Sequence, residues 1–386
     1  LINIIKIDNM NLAADRAGTS GKGKPMLQTR VDSGLDGVVV ADTVMSEVDG
    51  EEGRLVVRGH ALEELVSSHG FEGVAALLWD GYAEGGGDEA TVRRGFAAAR
   101  QRAFTEVPKL LAATRGLNPI EALRVGIAML PDSERTPHHY LVCGAMPVFL
   151  AALLNAEKDM PPIAPDPELT TAQDFMRMIR GQRAGVVFEK ALDTYLATIA
   201  DHGFNASTFT ARVVASTHAG LISAVLAALC ALKGPLHGGA PGPVLDMLDE
   251  IGEASRAEAW FDDVFAKGTA LMGFGHRIYK VRDPRADVLK HTVATLPATA
   301  GRLAYAEAVE QGAIAALRKH KPGRRLDTNV EYYTALLLEA LEVPRSAFTA
   351  LFAVGRTAGW CAHVFEQEKG GRIIRPQSNY VGPRAS

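Results

Sequence analysis

Cysteine is scarce in this chain, and what there is does not group. Cys143, Cys230 and Cys361 lie far apart, none forms a CxxC, and three thiols cannot all pair within one chain. A disulfide framework is therefore excluded, and buried free thiols in a reducing compartment are expected. Metal-ligand spacing is missing too: with no HExxH, no His-x-His and no Cys/His cluster, no metal site is expected. No G-x-S-x-G occurs, so serine-nucleophile chemistry lacks its usual turn. Nor is there a surplus of positive charge. Lys+Arg number 41 against 45 Asp+Glu, a net −4, which argues against nucleic acid as the main partner and leaves anion binding to local basic patches. The only long apolar run, Val213 to Leu232, is broken by Ser216, Thr217, His218 and Ser223. A membrane span prefers roughly 20 mostly apolar residues, so this reads as a buried core helix.

What is present is the composition of an ordinary globular enzyme: 386 residues, 47% hydrophobic and 22% charged, enough to bury a sizeable core. Residues 1–30 read as a flexible N-terminal extension, with Met10 and Met26 both readable as starts. Gly18 to Lys24 nearly spells a phosphate-binding loop, but Pro25 stands where Ser or Thr must follow for magnesium. From Gly34 to Gly59 the pattern is β-like, with Val38–Val40, a turn at Asp49–Gly53, and Leu55–Val57 predicting a hairpin. After His60 the spacing turns helical. Helices are predicted over 92–104, 119–129, 138–154, 172–179, 186–200, 210–232, 303–317, 332–341 and 348–365, with Pro161 to Pro167 the clearest internal loop. The chain thus reads as all-α with one small N-terminal hairpin.

Chemistry concentrates in the loops. Gly273 to Arg285 packs His276 and four Lys/Arg residues against Asp283 alone, reversing the sign of the local field. Its glycines allow main chain to approach a ligand, and Asp283-Pro284 reads as a helix start with Arg285 in the first turn, where a bound carboxylate or phosphate would satisfy both the helix end and the arginine. The other reading is a solvated basic loop. His237 stands in a glycine cluster, Gly234 to Gly242, that leaves its imidazole approachable. His202 precedes Gly203 in a turn between helices, where a last-turn histidine also has a purely structural use. Thr328-x-x-Glu331 fits a capping box, and the same helix-start position would keep Glu331 ionised as a base. Arg356 lies in an apolar helix, and an unpaired buried arginine costs several kcal/mol, so it must meet an internal acid or a bound anion. The tail from Lys369 to Ser386, with Arg372, Arg375 and Arg384, reads as an irregular basic arm.

Five ordered stretches, DHGFNAST (201–208), GPLHGG (234–239), GFGHRIYKVRDPRADVL (273–289), NVEYYTA (329–335) and VGRTAGW followed by RIIRP (354–376), resemble the citrate synthase family. The similarity runs from about Leu35 to Pro383. The resemblance implies an all-helical, cytoplasmic homodimer that condenses acetyl-CoA, a co-substrate and not a bound cofactor, with oxaloacetate. It implies a large domain over 31–234 and 342–386 and a small one over 235–341 that closes on the substrates. By the same resemblance His237 bonds the thioester oxygen, the carboxylate of Glu331 removes the methyl proton, and His276 polarises the ketone. His202, Arg285, Arg356 and Asn329 would bind oxaloacetate, with Arg375 coming from the partner subunit, while Met272, Gly273, Phe274, Gly275 and Lys280 would line the CoA site. The family's base is usually Asp. Glu331 adds a methylene, about 1.5 Å of reach, and a misplacement of about 1 Å costs roughly 100-fold in rate. A smaller departure is Pro241, where the family often has Asn. A 2-methylcitrate synthase using propionyl-CoA, and a non-catalytic paralogue binding dicarboxylates or CoA, are the alternatives.

Overall fold

The computed structural model describes residues 34–383 apart from 36, 239, 240 and 298. The extension expected over 1–30, its near-P-loop and Arg384 lie outside the described residues. Among the described residues, those up to Asp42 form one unit and those from Thr43 onward another. In the first, Val38 N donates to Leu35 O at 3.2 Å and closes a turn, and Val38–Val40, expected as a strand, carries no regular structure. Three adjacent valines supply no inside–outside alternation.

The hairpin forms just downstream. Strands β1 (Ser46–Asp49) and β2 (Arg54–Val57) pair antiparallel with Ser46 opposite Val57, and β3 (His60–Ala61) pairs with β2. Here the alternation exists, with Leu55 and Val57 buried and Arg54 and Val56 facing outward. Asp49 Oδ1 accepts from Glu51 N at 3.1 Å and Glu52 N at 3.0 Å and folds the turn.

Helices make up the rest: α1 (Leu62–Ser68), α2 (Phe71–Trp79), α3 (Glu89–Phe104), α4 (Val107–Ala113), α5 (Pro119–Ala128), α6 (His138–Ala156), α7 (Thr171–Arg180), α8 (Val186–Ile199), α9 (Ala206–Ala215), α10 (Leu221–Leu232), α11 (Pro241–Ile251), α12 (Ala257–Ala266), α13 (Pro284–Ala294), α14 (Ala300–His320), α15 (Val330–Ala340) and α16 (Phe348–Gly370). The all-α expectation holds. The helix predicted over 210–232 is two, because Ser216 and Thr217 turn their hydroxyls back to Val213 O and Val214 O, both at 2.7 Å, and the chain then passes through His218 at φ +58° and Gly220 at φ +88°. Helices α4, α11 and α12 had no counterpart in the sequence reading.

Val213 to Leu232 is not, as the sequence suggested, the only long apolar run: helix α6 is long and apolar enough to cross a bilayer, yet it is enclosed by protein and packs on α3, α5, α7 and α16. Helix α16 is buried from Phe348 to Val364 apart from Thr349, against α2, α6, α8, α9 and α10, which takes Arg356 into the interior. Helices α11 to α15 pack largely on one another, joined to the remainder through α13 on α8 and α11 on α16. Cys143 and Cys361 are buried as expected, whereas Cys230 is exposed on α10.

Candidate active site

Three helices begin at the candidate residues, each with a side-chain cap that fixes where its first turn points. Asn205 caps α9 by accepting from Ser207 N and Thr208 N, Asp283 caps α13 through Arg285 N, and Asn329 caps α15 through Glu331 N. Their N-terminal ends carry partial positive charge, so the region favours an anion before any arginine is counted.

The turn between α8 and α9 is anchored by Asp201. Its Oδ2 accepts from Ser46 Oγ at 2.5 Å and Gly203 N at 3.3 Å, and its Oδ1 meets His363 Nε2 at 3.1 Å. Burial pushes the Asp201 carboxyl up, but His363 and the Ser46 bond outweigh it and hold the group below its ordinary value. His202 is thereby set in the interior, with Nε2 3.2 Å from Tyr279 Oη and its ring edge-on to His276 at 5.4 Å. Burial, and then Arg285, keep His202 neutral.

His237 follows α10 in a tight turn where His237 N donates to Gly234 O and Gly238 N to Leu232 O, both at 2.9 Å. A Cβ at position 238 would meet that same Leu232 oxygen at 2.6 Å, so glycine is required there. Ser207 N donates to His237 Nε2 at 3.3 Å, with Ser207 Oγ at 2.8 Å. An acceptor at Nε2 places the neutral ring's proton on Nδ1. Burial, then Arg356, lower the His237 pKa to about 4, so the ring is a neutral donor.

His276 is set the opposite way round. Its Nδ1 accepts from Ile278 N and Tyr279 N, both at 3.1 Å, which leaves the proton on Nε2. Burial and Arg285 bring its pKa to about 4 as well. The preceding turn runs Gly273 at φ +85°, buried Phe274 and Gly275 at φ +81°. It is zipped to the start of α15: Gly275 N donates to Asp327 O at 2.7 Å, Asn329 N to Gly273 O at 3.0 Å and Asn329 Nδ2 to Gly275 O at 2.9 Å. Both ends of the Asn329 amide are thus engaged inside the protein. Met272 is half-buried beside this turn, and exposed Lys280 donates from Nζ to Arg277 O at 3.3 Å and from N to Gly50 O at 2.8 Å.

Arg285 does not wait for an external carboxylate, as the sequence suggested. Its own cap takes it, Asp283 Oδ1 accepting from Nε at 3.0 Å and Oδ2 from Nη2 at 2.7 Å. Asp283 Oδ2 also accepts from Val330 N at 3.3 Å and so links α13 to α15. Arg356, 2% exposed, donates from Nε to Ile199 O at 2.6 Å and forms no ion pair among the described residues. The internal acid that its burial called for is absent from its contacts, which leaves the anion. Burial and Arg285 lower its pKa to about 10, and it stays charged at neutral pH.

The capping-box reading of Glu331 is corrected. The cap is Asn329, Glu331 is the second helical residue, and Thr328 Oγ1 turns away to Glu310 Oε1 at 2.6 Å. Glu331 is 9% exposed, and its Oε2 is buried with no hydrogen-bond partner among the described residues. Burial raises its pKa to about 7 against the opposing pull of Arg285 and Arg356.

The cluster therefore joins His202, His237, His276, Arg285, Arg356 and Glu331, each acting electrostatically on others of the set. Arg375 is not among them: it lies exposed in the irregular segment after α16. Sequence reasoning missed Ser207 and Tyr279, which orient the imidazoles, and Asp283 as the partner of Arg285. Ser207 and Tyr279 lay inside recognised stretches, but their bonds cross 30 and 77 residues. Two surface hollows, one at Arg302 and Glu339 and one at Arg256 and Trp260, include none of these residues. Among the described residues no three His, Cys, Asp or Glu gather as metal ligands would. An unpaired guanidinium, neutral imidazole donors and a carboxyl titrating near neutrality suit binding of an anionic carbonyl compound and removal of a proton from carbon.

The family described as "Citrate synthase, C-terminal domain" matches residues 34–377. A Mycobacterium tuberculosis protein named "Putative citrate synthase 2" is 40% identical over 356 residues, covering 91% of this chain and 92% of its own length. The crystal structure of citrate synthase from Thermotoga maritima aligns with a TM-score of 0.83 at 33% identity, covering 92% of this chain and 97% of that one. Citrate synthase from Thermoplasma acidophilum, in a ternary complex with carboxymethyl coenzyme A and oxaloacetate, aligns with a TM-score of 0.82 at 28% identity over the same shares of the two chains.

Proposed function

The chain belongs to the citrate synthase family of acyltransferases, and we propose that it condenses acetyl-CoA with oxaloacetate and hydrolyses citryl-CoA to citrate and CoA. The observation that carries this reading is the set of protonation states in one buried cluster. His237 and His276 are neutral N–H donors of opposite tautomer, and Glu331 is a carboxyl poised at about 7.

The chemistry follows from those states. Arg356 and His202, with Arg285 held on Asp283, bind the carboxylates of oxaloacetate, and Arg375 of a second copy completes the set. His276 Nε2–H donates to the ketone oxygen. Glu331 takes a proton from the thioester methyl while His237 Nδ1–H donates to the thioester oxygen as it gains negative charge. A thioester methyl is a poor acid, and removing one such oxyanion donor typically loses about 2.7–4 kcal/mol. The enolate carbon then bonds to the ketone carbon, whose oxygen takes up a proton. Water cleaves the thioester afterwards, giving a carboxylate and the CoA thiol. Met272, the Gly273-Phe274-Gly275 turn and Lys280 are assigned to CoA, and Asn329 holds the turn against α15. Closure of residues 235–341 on the rest would exclude water until the carbon–carbon bond exists, a division that the mutual packing of α11 to α15 supports. The protein is proposed as a cytoplasmic homodimer, with no metal and no permanently bound cofactor.

Thiol release on mixing the protein with acetyl-CoA and oxaloacetate tests the reaction. Glu331→Gln is expected to lower turnover by roughly 10²–10⁴-fold. Comparing kcat/KM for acetyl-CoA and propionyl-CoA tests the acyl group: a clear acetyl preference supports the proposal, and a propionyl preference assigns 2-methylcitrate synthesis to the same residues. Ligand binding without turnover, rescued by Glu331→Asp, would make the chain a non-catalytic relative.

A further inference from the structure

Tyr195 is fully buried on α8, and its hydroxyl has no hydrogen-bond partner among the described residues. A phenol in that situation carries a desolvation cost that phenylalanine of the same shape would not, so its oxygen calls for an acceptor. Its surroundings indicate which one. Ile199, one helical turn along the same face of α8, receives Arg356 Nε on its carbonyl at 2.6 Å. Gly355 of α16 presses so closely on this face that an added Cβ would come within 2.7 Å of the Ile199 side chain. Helix α8 also packs on α13, which begins with Pro284 and Arg285. Arg356 is thus bonded to the turn of α8 next to Tyr195, and Glu331 Oε2 is likewise buried and unpartnered among the described residues. The charged groups acting on the phenol are Glu331 and Arg356, and those acting on the carboxyl are Arg285, Asp283 and Arg356.

We propose that Tyr195 is a positioning residue for Glu331, its hydroxyl donating to one water that in turn donates a hydrogen bond to Oε2 of the ionised carboxylate. The inference rests on the reading of Glu331 as the base. Glutamate has one more rotatable bond than aspartate, so its carboxylate needs a tether that a shorter side chain fixed at the helix start does not. A water that accepts from the phenol and donates to the carboxylate matches one buried donor to one buried acceptor.

Tyr195→Phe, Glu331→Gln and the double variant, assayed by thiol release across pH, test it. Loss of a donor to the charged form raises the carboxyl's pKa further, so the acid limb of kcat/KM for Tyr195→Phe should move up by about one pH unit. Its kcat should fall about tenfold with KM for oxaloacetate unchanged. In the Glu331→Gln background the same substitution should change turnover by no more than about twofold, because the coupled partner is already gone. An acid limb unmoved by Tyr195→Phe, or a tenfold loss repeated in the Glu331→Gln background, overturns the proposal while the base assignment stands. Full turnover by Glu331→Gln alone overturns the base assignment and this proposal together. A lowered melting temperature with an unmoved limb would mark Tyr195 as merely structural.

Discussion

Glu331 is kept in a state that costs the fold and suits the proposed reaction. Its pKa is about 7 in the folded protein against an ordinary 4.5, so the folded state holds its proton where the unfolded chain has released it. The stability linked to this group is fully present below about pH 4.5 and is lost as pH rises through about 7. Glu331→Gln should therefore unfold at higher denaturant than the parent at pH 8, by a few kcal/mol, and match it at pH 4. Equal stabilities at pH 8 would show that the carboxyl is not desolvated as described. Arg356 is the second such residue. An unpaired buried guanidinium contributes little to the unliganded fold, so Arg356→Met should keep or raise the melting temperature yet abolish the rise that oxaloacetate gives the parent. Loss of stability without ligand would mean that Arg356 is held by more than its bond to the Ile199 carbonyl. At this scale the sequence singled out these side chains but not their proton positions. The tautomer of His276 is set by amides two and three residues on, while that of His237 depends on Ser207, a contact that only the fold creates.

The elements convert caps into geometry. Asn329 ends the Gly273–Gly275 turn and starts α15, so Asn329→Ala should cost about 1 kcal/mol for the lost cap and lower kcat by shifting Glu331 at the start of that helix. Denaturant unfolding beside thiol release would separate the two effects, and unchanged kcat would mean that the turn is held without this amide. The hairpin takes part as well. Its turn lies so close to the His276 loop that a Cβ at Gly50 would fall 2.2 Å from Ile278 O, so Gly50→Ala should push the loop and reduce turnover while the helical content stays intact. Helices bounded by Pro or Gly, such as α5 and α13, were legible because their ends are written in the local chain. The break between α9 and α10 was not, since Ser216 and Thr217 sit in an unbroken helical pattern until their hydroxyls compete for the backbone. Thr328-x-x-Glu331 satisfied the capping-box spacing, but the Asn329 amide, one residue on, took the cap and freed Thr328 for Glu310. The strand signal of Val38–Val40 came from composition without alternation.

At the scale of the molecule, an almost neutral chain brings two buried arginines, Arg285 and Arg356, near a buried carboxyl, a placement that net composition conceals. Glu310 illustrates the long-range part: buried on α14, it accepts from Arg282, Thr328 and Tyr333, each at 2.6 Å, and ties the loop that carries His276 to the start of α15, where Glu331 stands. No local pattern announced it. The exposed Arg375 makes the proposed dimer testable by complementation. Glu331→Gln and Arg375→Ala should each be nearly inactive, and co-expressed together should form mixed dimers in which one of the two sites has both residues and turns over. Absence of recovered activity in purified mixed dimers would confine the site to one subunit. The central claim, that this cluster makes a carbon–carbon bond between a thioester methyl and a dicarboxylate ketone, is tested most directly by CoA thiol release from acetyl-CoA on addition of oxaloacetate. The account predicts release that requires both substrates and falls by roughly 10²–10⁴-fold in Glu331→Gln. Release no faster than background, from folded protein that binds both substrates, would contradict it.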